Sequence, residues 1–70
     1  MNSALMKSYI VRNNDNQTKL ADALGISLSN LNAKINGTSS FRQTEILAIK
    51  RRYNLSAAEV DEIFFAEALS

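Results

Sequence analysis

The chain has no cysteine, no histidine and no proline, and only two glycines in 70 residues. Without cysteine there is no disulfide framework, no thiolate metal site and no cysteine nucleophile. Without histidine the commonest general base and the commonest metal ligand are both gone. The lack of proline and scarcity of glycine argue against an all-β chain full of turns. No run of 18 apolar residues is present, and the first residues lack the basic and apolar regions of a signal peptide. Serines are plentiful, but none has a histidine or an evident low-pKa base beside it. There is no glycine-rich phosphate loop and no metal-ligand spacing. Asp61 and Glu62 read as an acidic, solvated helix face. The expected product is a soluble, intracellular, mostly helical domain with no catalytic residue, no metal, no cofactor and no membrane partner.

What the chain does contain is enough apolar residue, 46%, for a globular protein rather than a disordered one. Its length suits a single domain over residues 1–70. At this size only about 60% of the unfolded surface is buried, so the core is thin. Polar breakers divide the sequence at Asn13-Asn14-Asp15-Asn16, Gly25, Asn36-Gly37-Thr38-Ser39-Ser40 and Asn54-Leu55-Ser56. Between them lie five segments with helical spacing of apolar residues. The first holds Leu5, Met6, Tyr9 and Ile10, the second Leu20, Ala21 and Leu24, and the third Leu28, Leu31 and Ile35. The fourth holds Ile46, Leu47, Ile49 and Tyr53, and the fifth Val60, Ile63 and Phe64, with Phe65 as a further candidate. Cap signals agree. Ser56 with Glu59 reads as a capping box, with Leu55 and Val60 as its hydrophobic staple. Ser40 with Gln43 reads as a second box, or the fourth helix starts a residue or two later. Asn16 and Ser27 suit the starts of the second and third helices, and Gly25 and Gly37 suit their ends. The predicted fold is all-α, a compact five-helix bundle.

The second and third segments are joined only by Gly25, Ile26 and Ser27. Two helices connected so tightly cross at a steep angle, the geometry of a helix-turn-helix, here over about residues 17–36. Ala21 is small where the helices cross, Gly25 permits positive φ, Ile26 inserts between the helices and Leu31 anchors the second to the first. The stretch from Asn16 to Ser27, continued by Leu31 and Asn36-Gly37, resembles the helix-turn-helix of phage Cro and repressor-type regulators. The ending from Val60 to Phe65 is similar to that of small Cro-like proteins from phages and prophages of Gram-positive bacteria. The likeness spans roughly residues 5–66.

That resemblance implies a lambda-repressor-like domain that binds double-stranded operator DNA as a homodimer, in the cytoplasm of a bacterium or phage-infected host. The third helix would read bases in the major groove through Ser27, Leu28, Ser29, Asn30, Asn32 and Ala33. Asn16, Gln17, Lys34, Asn36, Thr38, Ser39 and Arg42 would hold the phosphate backbone. Asn is able to pair with adenine through two hydrogen bonds, and Leu or Ala to meet a thymine methyl. Two positions depart from the family pattern. Leu28 stands where a base-reading Gln is common. Lys34 stands where relatives often carry an apolar core residue, which makes it a candidate phosphate contact while Ile35 takes over the packing.

Charge is distributed unevenly. Residues 1–52 hold all eight bases and three of the seven acids (Asp15, Asp22, Glu45), a net of +5. Residues 53–70 hold the other four acids and no base, a net of −4, so one end suits phosphate and the other does not. Lys50-Arg51-Arg52 reads first as a favourable charge at a helix C-terminus, and second as a nucleic-acid patch. Ser29, Asn30, Asn32 and Asn36 are poor interior helix formers, and an exposed hydrogen-bonding face accounts for them. Phe64 and Phe65 diverge by about 100° on a helix, so one fills the core against the first helix. The other is left for a dimer contact or for covering the cleft between the first and fourth helices. A protein-binding modulator on the same fold, an antirepressor or antitoxin that pairs with a larger partner repressor, is the alternative function.

Overall fold

Each of the five periodic segments forms a helix in the computed structural model, which describes residues 1–65. They are α1 (Ser3–Arg12), α2 (Gln17–Leu24), α3 (Leu28–Ile35), α4 (Gln43–Arg52) and α5 (Ala57–Phe64). Glu67 and the end of the expected 1–70 domain lie outside the described residues. Among those residues there is no strand, and no helix is long and apolar enough to cross a membrane.

The helices begin where a side-chain oxygen accepts an otherwise unpartnered N–H. Asn2 accepts from Leu5 at 3.0 Å, Asn16 from Lys19 at 2.8 Å and Ser27 from Asn30 at 3.0 Å. At α5 the exchange is reciprocal: Ser56 accepts from the Glu59 N–H at 3.1 Å, and Glu59 from the Ser56 N–H at 2.7 Å. Only α4 departs from expectation. Gln43 is its first residue, so the Ser40–Gln43 pair is not a capping box. Instead Glu45, in the first turn, accepts from the Arg42 N–H at 2.8 Å.

One device ends α1 through α4. A residue with positive φ follows each helix: Asn14 (53°), Gly25 (70°), Gly37 (87°) and Asn54 (53°). Its N–H bonds back three residues, to the carbonyls of Val11, Asp22, Lys34 and Arg51 respectively. The next N–H reaches back five, from Asp15 to Ile10, Ile26 to Ala21, Thr38 to Ala33 and Leu55 to Lys50. This is the Schellman pattern, four times over.

Met6, Leu20, Leu31, Ile35, Ile49 and Ile63 are the largest fully buried side chains. Burying a side chain of this kind contributes about 1.5–3 kcal/mol relative to leaving it in water. α2 packs on α3, with Ala21 buried, while α1 and α4 both pack on α5. Two bonds close α1 onto α5: the Asn2 N–H donates to the Ile63 carbonyl at 2.8 Å, and the Tyr9 hydroxyl to Glu59 at 2.9 Å. Next to Asn2, the Ser3 hydroxyl donates to the Ile35 carbonyl, so the start of α1 also touches the end of α3. Phe64 is buried and meets Phe41 edge-to-face at 5.3 Å.

Candidate functional site

α3 has two unlike surfaces. Leu31, Lys34 and Ile35, at the i, i+3, i+4 spacing of one helix face, turn inward. Ser29, Asn30 and Asn32 are exposed, Leu28 is 43% exposed at the first turn, and Ala33 is half-buried at the edge. The side chains of Ser29, Asn30 and Asn32 make no hydrogen bond among the described residues. Ser27 spends an oxygen lone pair on the cap and keeps its proton to donate. The structure therefore brings the six expected base-reading residues together along one helix and its N-cap.

The expected phosphate contacts divide into three groups. Asn16 caps α2 with its side-chain carbonyl oxygen, its amide N–H groups making no hydrogen bond among the described residues, and Gln17 is half-buried at the first turn. Asn36, Ser39 and Arg42 are exposed, and their side chains make no hydrogen bond among the described residues. Thr38 and Lys34 differ from expectation. The Thr38 hydroxyl donates to the Ala33 carbonyl at 3.0 Å, and the N–H groups of Thr38 and Ser39 bond the same oxygen. Thr38 thus closes the end of α3 instead of offering a donor outward.

Lys34 is a clear correction. It is 8% exposed, and its ammonium lies 2.6 Å from Oε1 of Glu45, which is itself buried. The ammonium cannot serve phosphate while it neutralises a buried carboxylate. Burial pushes the Glu45 carboxyl up, but the Lys34 and Arg42 N–H bonds outweigh it and the net direction is down. Sequence reading counted Glu45 only as a charge and missed its role. Its signal was the spacing of an acid three residues after the helix N-cap.

A second carboxylate was read only as part of a breaker. Asp15, after α1, accepts two bonds from Arg52 at 2.9 and 3.0 Å and one from the Tyr53 hydroxyl at 2.6 Å. Arg52 holds the Asp15 carboxyl well below the usual carboxylate range, against the opposing effect of burial. Burial, then the bond to Asp15, pushes the Tyr53 phenol up. Of the basic run, Arg52 is therefore structural, whereas Lys50 and Arg51 have no ion-pair partner among the described residues.

Of the Phe64–Phe65 pair it is Phe64, 8% exposed, that belongs to the core, where it packs on Phe41. Its position follows from spacing, since 60, 63 and 64 share the buried face of α5. Phe65 is 60% exposed.

The sequence profile of the BetR domain matches residues 3–68, nearly the whole chain, and the chain belongs to that family. No curated protein and no solved structure matches it.

Proposed function

We propose that this BetR-domain chain is a sequence-specific DNA-binding regulator of Cro type, a repressor that occupies operator DNA and reads the major groove with α3. The observation that carries the reading is the outward surface of α3, where the side chains of Ser29, Asn30 and Asn32 stand exposed beside Leu28 and make no hydrogen bond among the described residues. A helix fits the major groove, where Asn pairs with the adenine edge and apolar groups meet the thymine methyl. Asn16, Gln17, Asn36, Ser39 and Arg42 serve the phosphates, with Lys34 and Thr38 withdrawn from that set. Phosphate contacts place the helix, and base contacts select the sequence.

Phe65 stands at the rim of a groove of about 290 Å³ with Phe41, Ile46 and Phe64 on its apolar side and Lys34, Ser39 and Ser40 on its polar side. The apolar side supports self-association on DNA, which would set two recognition helices about 34 Å apart on a pseudo-palindrome. The alternative, a modulator that pairs with a partner repressor, draws on the same exposed Phe65 and on Leu28.

Enrichment of random duplex DNA on the purified protein tests the reading. A two-fold symmetric motif is the expected result. No enrichment, together with capture of a protein partner, would favour the alternative. On the enriched duplex, Asn30→Ala is expected to relax preference at one base position by about 1–3 kcal/mol. Arg42→Ala is expected to weaken all sequences alike and lower the salt slope by about one.

A further inference from the structure

We propose that Glu45 is a positioning residue for the loop between α3 and α4, acting through a single carboxylate oxygen. As a statement about DNA affinity, this rests on the reading of that loop as a phosphate-contacting segment. Oε1 accepts the Lys34 ammonium at 2.6 Å and the Arg42 N–H at 2.8 Å. Lys34 is in the last turn of α3, Arg42 precedes α4, and the loop residues from Asn36 to Phe41 lie between them. Both ends of the loop are thus tied to one atom. A third tie comes from Phe41, whose ring lies 6.0 Å from the Lys34 ammonium. Within the loop, Thr38 and Ser39 fold back on the Ala33 carbonyl. Asn36, Ser39 and Arg42 are thereby carried in a fixed relation to the exposed face of α3.

Stability alone does not explain the pair. Desolvating two charges offsets much of their attraction, and an apolar pair of similar volume is often as stable. A shared acceptor provides direction instead: the last turn of α3 and the first turn of α4 meet in one register. Each charge also suits the helix end that carries it, a cation at a C-terminus and an anion at an N-terminus. The charged groups facing Glu45 are Lys34 from α3 and Arg42 from the loop.

The double variant Lys34→Met/Glu45→Gln separates positioning from folding. Gln retains an acceptor for the Arg42 N–H, and the two substitutions together leave no unpaired buried charge. Amide exchange of residues 37–42, measured without DNA, is expected to accelerate at least about tenfold while amides of α2 and α5 keep their protection. Affinity for the enriched duplex is expected to fall about tenfold with the salt slope unchanged, because no phosphate contact is removed. Lys34→Arg, which preserves the pair, is expected to retain wild-type loop exchange and affinity. Loop exchange that stays at the wild-type rate in the double variant, or rises only in step with the whole chain, would overturn the proposal.

If the double variant does not fold, the wild type carries the test. Loop exchange, corrected for its intrinsic pH dependence, should rise as Glu45 is protonated, ahead of the amides of α2 and α5. Loop amides that rise only in step with those of α2 and α5 would overturn the proposal. Because exchange is read on free protein, failure of the DNA reading leaves this result interpretable.

Discussion

At the N-terminal end of α4, Glu45 serves Lys34 and the Arg42 N–H with one oxygen. At the C-terminal end, Asp15 spreads both oxygens over Arg52 and Tyr53. The first pairing spans 11 residues of chain and the second 37 or 38. Closing the longer loop costs about 1 kcal/mol more in chain entropy. It is the longer closure that carries three hydrogen bonds to side chains, two of them between ions. Asp15 therefore joins distant parts of the chain, whereas Glu45 sets the geometry of a neighbouring loop. The same side-chain chemistry builds the frame at one end of a helix and aims a surface segment at the other.

The sharpest way to break this comparison is Asp15→Ala. It removes three bonds at once and leaves the buried Tyr53 hydroxyl without its acceptor. We expect a loss of about 2–4 kcal/mol in urea denaturation. Duplex affinity of the folded fraction should remain at the wild-type value. A large affinity loss with intact stability would mean that Asp15, too, positions the binding surface.

The pH dependence of stability distinguishes the two ends further. Asp15 is held well below the ordinary carboxylate range, and Glu45 is lowered from its ordinary value, as is Glu59 through the Ser56 N–H and the Tyr9 hydroxyl. A carboxylate depressed in the folded state contributes fully above its unfolded pKa, about 4, and loses that contribution as pH falls through the folded value. Stability should therefore decline below about pH 5, and Asp15→Asn should flatten that decline. Tyr53 is raised, so its contribution is complete below about pH 10 and is lost as pH rises above it. Tyr9, raised by its bond to Glu59, titrates on the same side. Tyr53→Phe should reduce the alkaline decline without abolishing it, while Glu45→Gln should leave it as it is. Denaturation midpoints across pH check each arm.

The smallest effect concerns the stops on either side of α4, Gly37 before it and Asn54 after it. A Cβ placed on Gly37 meets nothing within 4 Å, so only its positive φ resists a side chain. Asn holds that conformation at residue 54. Gly37→Asn should cost less than about 1 kcal/mol, and Gly37→Val about 1–2 kcal/mol or more, by thermal denaturation.

Local features were legible in the sequence. The five helices, the Asn16, Ser27 and Ser56 caps, the Ser56–Glu59 box and the Gly25 and Gly37 stops each depend on residues within one turn of one another. The start of α4 was obscured because its N-cap is Arg42, which offers no acceptor of its own. The rest depended on what distant residues do. Nothing near Asp15 in the chain announces Arg52, and nothing near Lys34 announces Glu45. Burial of Lys34 was nevertheless written in its spacing, since it shares the inward face of α3 with Leu31 and Ile35. Its charge suggested an outward role, and a tertiary partner reversed it. The exposed amides of α3 were legible for the opposite reason: they have no tertiary partner among the described residues.

The four helix stops have a consequence for folding kinetics. Each is complete within a six-residue stretch, from Ile10 to Asp15, Ala21 to Ile26, Ala33 to Thr38 and Lys50 to Leu55. Loops of about ten residues close in roughly 10–100 ns, and helices grow in about a nanosecond per residue. The ends of α1 through α4 are therefore specified by contacts that close faster than those between Asn2 and Ile63 or Asp15 and Arg52. Helices of 8 or 10 residues are marginal alone in water, so these stops fix where each helix ends once packing holds it.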